Sequence, residues 1–217
     1  MTASKSRTAC STWQDLESTT SVIWKPRHNE WGICCQCRRC EHMGEPILTA
    51  ASMTRTEATA LTKDMIGQKA PSFDLTADDG AVFDSTSLDG TWRLIFFYSR
   101  DNSPTCKRGC LTFKEQYDLF VSAGCSVVGI GQDSVDSHRS FKEGFKGGLP
   151  FPILSDPDRH VAMSFNVPMH LGRFPAKSSF LIGPDDTVRY VYDWLFRPRR
   201  HVARILSDLT RVTGGEA

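Results

Sequence analysis

Apolar and polar positions follow two regimes along this chain. From Ile66 onward, short apolar segments and turn signals alternate regularly; before it, no helical or alternating period is sustained. In the periodic part, Ser72-Phe73-Asp74-Leu75 alternates as a short strand, and Asp78-Asp79-Gly80 reads as a turn. Arg93 to Tyr98 (RLIFFY) is nearly continuous in apolar residues, the pattern of a strand buried on both faces. After a polar loop, Ser99 to Thr105, the spacing predicts a helix over Cys106 to Ala123. Leu111, Tyr117, Phe120 and Val121 would line its broad apolar face, with Gly124 as the stop. Cys125 to Gly131 (CSVVGIG) predicts a second buried strand and Val135 to Phe145 a second amphipathic helix. Phe151 to Leu154 predicts a third strand, and Asp156 to Phe165 a short helix opened by Asp-Pro. Ser179 to Ile182 and Val188 to Trp194 predict a hairpin around Pro184-Asp185-Asp186, and Arg199 to Val212 a closing helix. Strands alternating with helices predict an α/β fold with a central sheet flanked by helices; the late hairpin makes that sheet mixed.

Residues 1–62 read differently. Ser and Thr are scattered through them, and a weak helical stretch, Glu57 to Met65, leads out of them. A poorly ordered N-terminal extension over 1–62, a leader or disordered segment, followed by one domain over 63–217, is expected. The extension holds Cys34, Cys35, Cys37 and Cys40 within seven positions. Cys34, Cys37 and Cys40 have the C-x2-C-x2-C spacing that could supply three ligands to zinc or an iron–sulfur centre, with His28 or His42 as a fourth. The pattern is incomplete, since position 44 is Gly44 and no second knuckle follows. Incidental cysteines are therefore the stronger reading, and no metal is expected. Seven Lys/Arg but also six Asp/Glu precede Lys63, which is not the acid-poor composition of a transit peptide.

Composition narrows the function classes. The 217 residues are 40% hydrophobic and 24% charged, an ordinary globular balance that suits one domain with spare length. The 26 Lys+Arg nearly cancel the 25 Asp+Glu, so nothing points to nucleic acid or a membrane surface. The longest strongly apolar run in the core region, Leu94–Tyr98, is far too short to span a membrane, and Val22-Ile23-Trp24 is too short for a secretory signal. Eight cysteines do not make a disulfide scaffold at this length. A reducing intracellular compartment, plastid or cytoplasm, is expected.

The chemistry concentrates in Asp101-Asn102-Ser103-Pro104-Thr105-Cys106, between a buried strand and a helix. A cysteine in the first turn of a helix meets free backbone N–H groups and the positive end of the dipole, both of which favour the nucleophilic thiolate. Ser103 places a hydroxyl three residues ahead of the sulfur, and Pro104 stiffens the loop. Position alone would still favour a buried structural cysteine.

The surroundings change that balance. FFYSRDNSPTC followed by FKEQYDLF resembles the peroxiredoxin Q (bacterioferritin comigratory protein) branch of the peroxiredoxins. That branch has a Phe/Tyr strand, Pro-Lys-Asp-x-Ser/Thr-Pro-x-Cys, and a helix with Phe-x-x-x-Tyr. Gly67–Leu75 (GQKAPSFDL), CSVVGIGQDS with His138-x-x-Phe141, LPFPILSDPDRHVAMSFNV and Pro175–Ile182 (PAKSSFLI) are similar in the same order, so the resemblance runs from about Ile66 to Leu209. It implies a thioredoxin-like fold and a peroxidase that reduces hydrogen peroxide and organic hydroperoxides through a cysteine. No metal or organic cofactor is implied. The electrons would come from thioredoxin or a similar dithiol reductant, and a monomer is expected.

By the same resemblance Cys106 is the peroxidatic cysteine and Ser103 the family's Thr/Ser hydroxyl. Ser99 falls where the family usually has its proline, which predicts more motion and water around the sulfur. Lys177 falls where the family usually has an arginine; it keeps the charge but lacks the planar fork. A site of the right type, and a slower one, is expected. The competing reading of Lys177 is a solvated lysine at a strand start, with Arg173 and Arg100 as the nearest other cations.

Many proteins of the branch carry a resolving thiol five residues after the first. Here that position is Leu111, and Cys110 lies one residue earlier. Residues four apart on a helix have Cβ atoms about 6 Å apart, whereas a disulfide needs about 4 Å. The first turn must therefore unwind before the two can bond. Cys110 is a candidate resolver and equally a small apolar residue on the buried side; without it the chain would use one cysteine only. Cys125 reads as core. The rivals to a peroxidase are a thioredoxin-type thiol–disulfide oxidoreductase, disfavoured by Cys-x-x-x-Cys in place of Cys-x-x-Cys, and a non-enzymatic redox sensor or adaptor.

Overall fold

The computed structural model describes residues 62–193 and 197–214. Contacts divide the chain into Met1–Pro46 and Ile47–Ala217, and every described residue lies in the second unit. The cysteines of the extension, residues 57–61 of the expected leading helix, and Trp194 lie outside the described residues.

Among the described residues, nine strands and five α-helices alternate: β1 Asp74–Ala77, β2 Val82–Asp84, β3 Trp92–Tyr98, α1 Pro104–Glu115, α2 Tyr117–Ser122, β4 Cys125–Gly131, α3 Val135–Glu143, β5 Ile153–Ser155, α4 His160–Ser164, β6 Met169–His170, β7 Phe174–Pro175, β8 Ser178–Ile182, β9 Val188–Asp193 and α5 Pro198–Thr213. Seven strands form one sheet in the order β2-β1-β5-β4-β3-β8-β9. β3, β4 and β5 run parallel, while β8 lies antiparallel to β3 and β9 antiparallel to β8. The sheet is therefore mixed, as the hairpin predicts. Among the described residues, no helix is long and apolar enough to cross a membrane.

β3 is central and buried along its whole length. Its side chains alternate between two cores. Leu94, Phe96 and Tyr98 face the one shared with α1, α3 and α5; Ile95 and Phe97 face the one shared with α4. β4 carries glycines because the first core is crowded. A Cβ on Gly129 would stand 2.7 Å from Ile153 Cδ1 and 2.8 Å from Phe96 Cζ, closer than packed atoms approach.

The expected elements are present, several with shifted ends. The first strand forms at Asp74–Ala77 and not at Ser72–Leu75, because Phe73 N–H bonds the Ser85 hydroxyl at 2.8 Å in place of a ladder partner. The helix opened by Asp-Pro starts only at His160: the Asp156 carboxylate accepts from the N–H of Ala162 at 2.9 Å, and Arg159 turns the chain in with φ 61°. The long helix expected over Cys106 to Ala123 is two helices. It starts two residues earlier, at Pro104, and breaks at Gln116, whose φ of −111° and ψ of 7° leave helical geometry. The break resets the phase of the buried face. Phe113 and Phe120 face the core, while Leu111 and Val121 are exposed, contrary to the single-helix expectation. β2 and the β6–β7 hairpin, too short for a periodic signal, were not expected.

Candidate active site

The site is built where β3 ends. The sheet holds Tyr98 opposite Gly131 of β4. The chain then crosses Ser99 to Ser103 and enters α1, with Ser103 as the N-cap in extended conformation and Pro104 in the first turn. Pro104 lacks an N–H, so none is wasted at a position with no helical acceptor. Cys106 is the third residue of α1, among the N–H groups that no carbonyl satisfies.

The Cys106 sulfur is wholly buried. Burial pushes its thiol pKa up, but the opposing influences win and the net direction is down. They are a hydrogen bond with the Ser99 hydroxyl, the Arg100 backbone N–H, the charge of Lys177, and the Ser103 hydroxyl. Ser99 Oγ lies 3.5 Å from Sγ. Where the family usually has its proline, the Ser99 hydroxyl stands against a sulfur that has no exposed surface.

Lys177, just ahead of β8, is buried, with 8% of its surface exposed. Its ammonium donates to Thr105 Oγ1, and Thr105 Oγ1 lies 2.9 Å from Ser103 Oγ. The lysine thus reaches the first turn of α1 and is not a solvated surface group. The two other cations turn elsewhere. The guanidiniums of Arg100 and Arg173 lie over the Phe174 ring, at 4.6 and 5.5 Å from its centroid. Ser103 and Cys106 thus share one helical turn with the ammonium of Lys177, which is far from them in sequence.

Cys110 is also wholly buried, one turn further on. Its burial, with the negative charges of Cys106 and Asp101, holds its thiol well above the ordinary value. Leu111 faces outward instead and lines a groove of about 570 Å³ with Arg108 and Arg200. Cys125 is a core residue whose thiol burial pushes up to about 12. All three described cysteines are free thiols. Among the described residues no group of His, Cys, Asp or Glu is arranged to hold a metal ion.

Sequence reasoning missed a second layer behind the loop. Asp101 is almost fully buried. Its carboxylate accepts from Tyr98 Oη at 2.7 Å, from Ser137 Oγ at 2.7 Å, and pairs with His138 Nδ1 at 2.9 Å. Its backbone N–H donates to Asp133 Oδ2 at 2.9 Å. Burial pushes the Asp101 carboxyl up, and these donors bring it below its usual value. The network fastens the loop to β3 and α3. Its signal was thin: an aspartate three residues after a buried strand, and a histidine in a helix far along the chain.

The sequence and the fold have known relatives. The AhpC/TSA family model matches residues 66–191. Chloroplastic peroxiredoxin Q of Oryza sativa subsp. japonica is 33% identical over 144 residues, 66% of this chain and 65% of the relative. The match thus spans just under two thirds of the rice protein. Chloroplastic peroxiredoxin Q of Populus jackii is 30% identical over 163 residues, 75% of this chain and 76% of the relative. Among solved structures, peroxidoxin BcpB from Mycobacterium tuberculosis superposes with a TM-score of 0.62 at 26% identity, covering 68% of this chain and 97% of that one.

Proposed function

The chain belongs to the AhpC/TSA family, and from that premise we propose that it is a thiol-dependent peroxidase with Cys106 as the peroxidatic nucleophile. One observation carries the reading: a fully buried sulfur in the first turn of α1, with the Ser99 hydroxyl 3.5 Å away and the Lys177 ammonium bonded within the same turn, surroundings that draw the thiol pKa down. Such surroundings favour the nucleophilic thiolate.

The Cys106 thiolate attacks one oxygen of hydrogen peroxide or an organic hydroperoxide. The O–O bond breaks, leaving a sulfenic acid on Cys106 and a hydroxide or alkoxide, which takes a proton and departs as water or alcohol. The unpaired N–H groups of the first turn and the Ser103 hydroxyl orient the peroxide and stabilise the charge on the departing oxygen. Lys177, held by Thr105, adds a fixed positive charge. Cys110 then condenses with the sulfenic acid, forming a disulfide and releasing water, once the first turn of α1 unwinds to bring the sulfurs together. Thioredoxin or a similar dithiol reduces that disulfide. No step needs a metal or an organic cofactor. The domain that does this begins near Lys63 and acts as a monomer, residues 1–62 being an extension. The chemistry suits a reducing intracellular compartment, plastid or cytoplasm.

The test uses the full-length protein with hydrogen peroxide, an organic hydroperoxide and a thioredoxin system. Peroxide should disappear at the expense of the dithiol. Reduction of insulin disulfides without peroxide loss would instead make the chain a thiol–disulfide oxidoreductase. Neither activity would leave it a sensor or adaptor.

A further inference from the structure

We propose that Ser99 is a thiolate-positioning residue of this site, its hydroxyl donating to the ionised Cys106 sulfur and holding it as the nucleophile. The proposal rests on the peroxidase reading and deepens it.

Three observations carry it. Ser99 is the first residue after β3, a strand hydrogen-bonded on both sides, so the sheet fixes where its Cα stands. Its Oγ lies 3.5 Å from Cys106 Sγ and has no other hydrogen-bond partner among the described residues. The sulfur itself has no exposed surface, so water cannot stand in for a lost donor. The chemistry then follows from the donor inventory. A thiol can donate its own proton to the serine, whereas a thiolate can only accept, so the single hydroxyl proton is committed to sulfur in the ionised state. A hydrogen bond to a buried charge is worth more than one between neutral groups.

The other groups acting on the sulfur do not duplicate this role. Lys177 donates to Thr105 and acts on the sulfur through its charge. Arg100 offers its backbone N–H, with its guanidinium over Phe174. Ser103 shares its hydroxyl with Thr105. Cys110, one turn on, stays a thiol. Among the influences that lower the Cys106 pKa, the Ser99 hydrogen bond is the largest. A proline at this position has neither an N–H nor a hydroxyl to offer.

The test reads ionisation directly, as the pH midpoint of Cys106 alkylation in the full-length protein, followed on the Cys106 peptide by mass spectrometry. Ser99→Ala should raise the midpoint by about one pH unit, and Ser99→Thr, which keeps the hydroxyl, should stay close to the parent. Ser99→Gly serves the same purpose should the alanine variant not fold. A purely structural role would lower the melting temperature and leave the midpoint in place. An unchanged midpoint in Ser99→Ala, or an equal rise in Ser99→Thr, overturns the proposal. Because alkylation does not involve peroxide, a failed peroxidase assay would leave this result readable on its own.

Discussion

The first turn of α1 and the turns that follow it do opposite things with the same residue type. Cys106 and Cys110 are four residues apart on one helix, and neither has exposed surface. Yet the first thiol is shifted toward thiolate and the second away from it. Burial pushes both upward, so burial alone does not explain why the first thiol falls. The difference lies in what surrounds each sulfur. Cys106 sits where the helix still has unpaired N–H groups, with a serine, a backbone amide and a lysine converging from two loops. Cys110 sits where every helical N–H is already bonded, against Phe113, Leu209 and the rest of the apolar core. One turn is a reactive edge, and the next is an anchor.

The largest expected effect tests that division on the sulfurs themselves. Cys106→Ser should abolish peroxide reduction, because a serine hydroxyl is a far weaker nucleophile at neutral pH. Cys110→Ser should keep the first, stoichiometric turnover and accumulate a sulfenic acid that dimedone traps, while sustained turnover with thioredoxin is lost. Undiminished sustained turnover in Cys110→Ser would remove Cys110 as the resolver and leave its turn a pure anchor.

A second test attacks the anchor and asks whether the edge notices. Phe113 is 1% exposed and stacks on Phe96 with ring centroids 4.4 Å apart. Phe113→Ala should cost about 3–5 kcal/mol, read as a lowered denaturation midpoint. The Cys106 alkylation midpoint of the folded variant should not move. A shift in both would mean that the reactive turn takes its properties from the core beneath it.

The anchor also carries a pH signature of its own. His201 of α5 meets the Phe113 ring edge-on at 6.2 Å and hydrogen-bonds Ser179 Oγ at 3.0 Å. Burial lowers its pKa from 6.5 to about 3, so the folded protein keeps it neutral. Between those values the unfolded chain binds a proton that the folded one does not. Its contribution is thus complete above pH 6.5 and declines as the pH falls toward 3, at up to about 1.4 kcal/mol per pH unit. Denaturation of His201→Gln should show a flatter loss of stability between pH 6 and 4 than the parent. Identical slopes would mean that the histidine takes up its proton without unfolding.

The two regions were unequally legible from sequence. β3, β4, the late hairpin and α5 are long or strongly patterned, and each formed where its pattern placed it. The reactive turn was legible too, because Ser103, Pro104 and Cys106 lie close together and Lys177 could be placed by resemblance. What escaped depends on contacts without local trace. The break at Gln116 shows in its backbone angles and in the exposure of Leu111 and Val121, not in the sequence pattern. The Asp101 network joins residues about 30 to 40 positions apart. Ser99 is instructive: the sequence shows what it lacks relative to proline, and its hydroxyl contact with the sulfur has no local trace.

The smallest expected effect separates short-range donors from long-range charge. The Lys177 ammonium bonds Thr105, one residue before Cys106 in the same turn. Its charge lowers the pKa of both thiols, Cys106 and Cys110, though for Cys110 it is the weakest of the named influences. A hydroxyl donor is local, so Ser99 variants should move Cys106 alone. Lys177→Met should raise the Cys106 alkylation midpoint by up to about one pH unit. It should also make Cys110 slightly harder to alkylate at high pH. Lys177→Arg should hold both near the parent, and peroxide turnover should rise where the guanidinium fork reaches Thr105 and the sulfur together. An unmoved Cys106 midpoint in Lys177→Met would leave the hydroxyl and backbone donors as the whole cause of the low pKa. The edge would then differ from the anchor by hydrogen bonds alone.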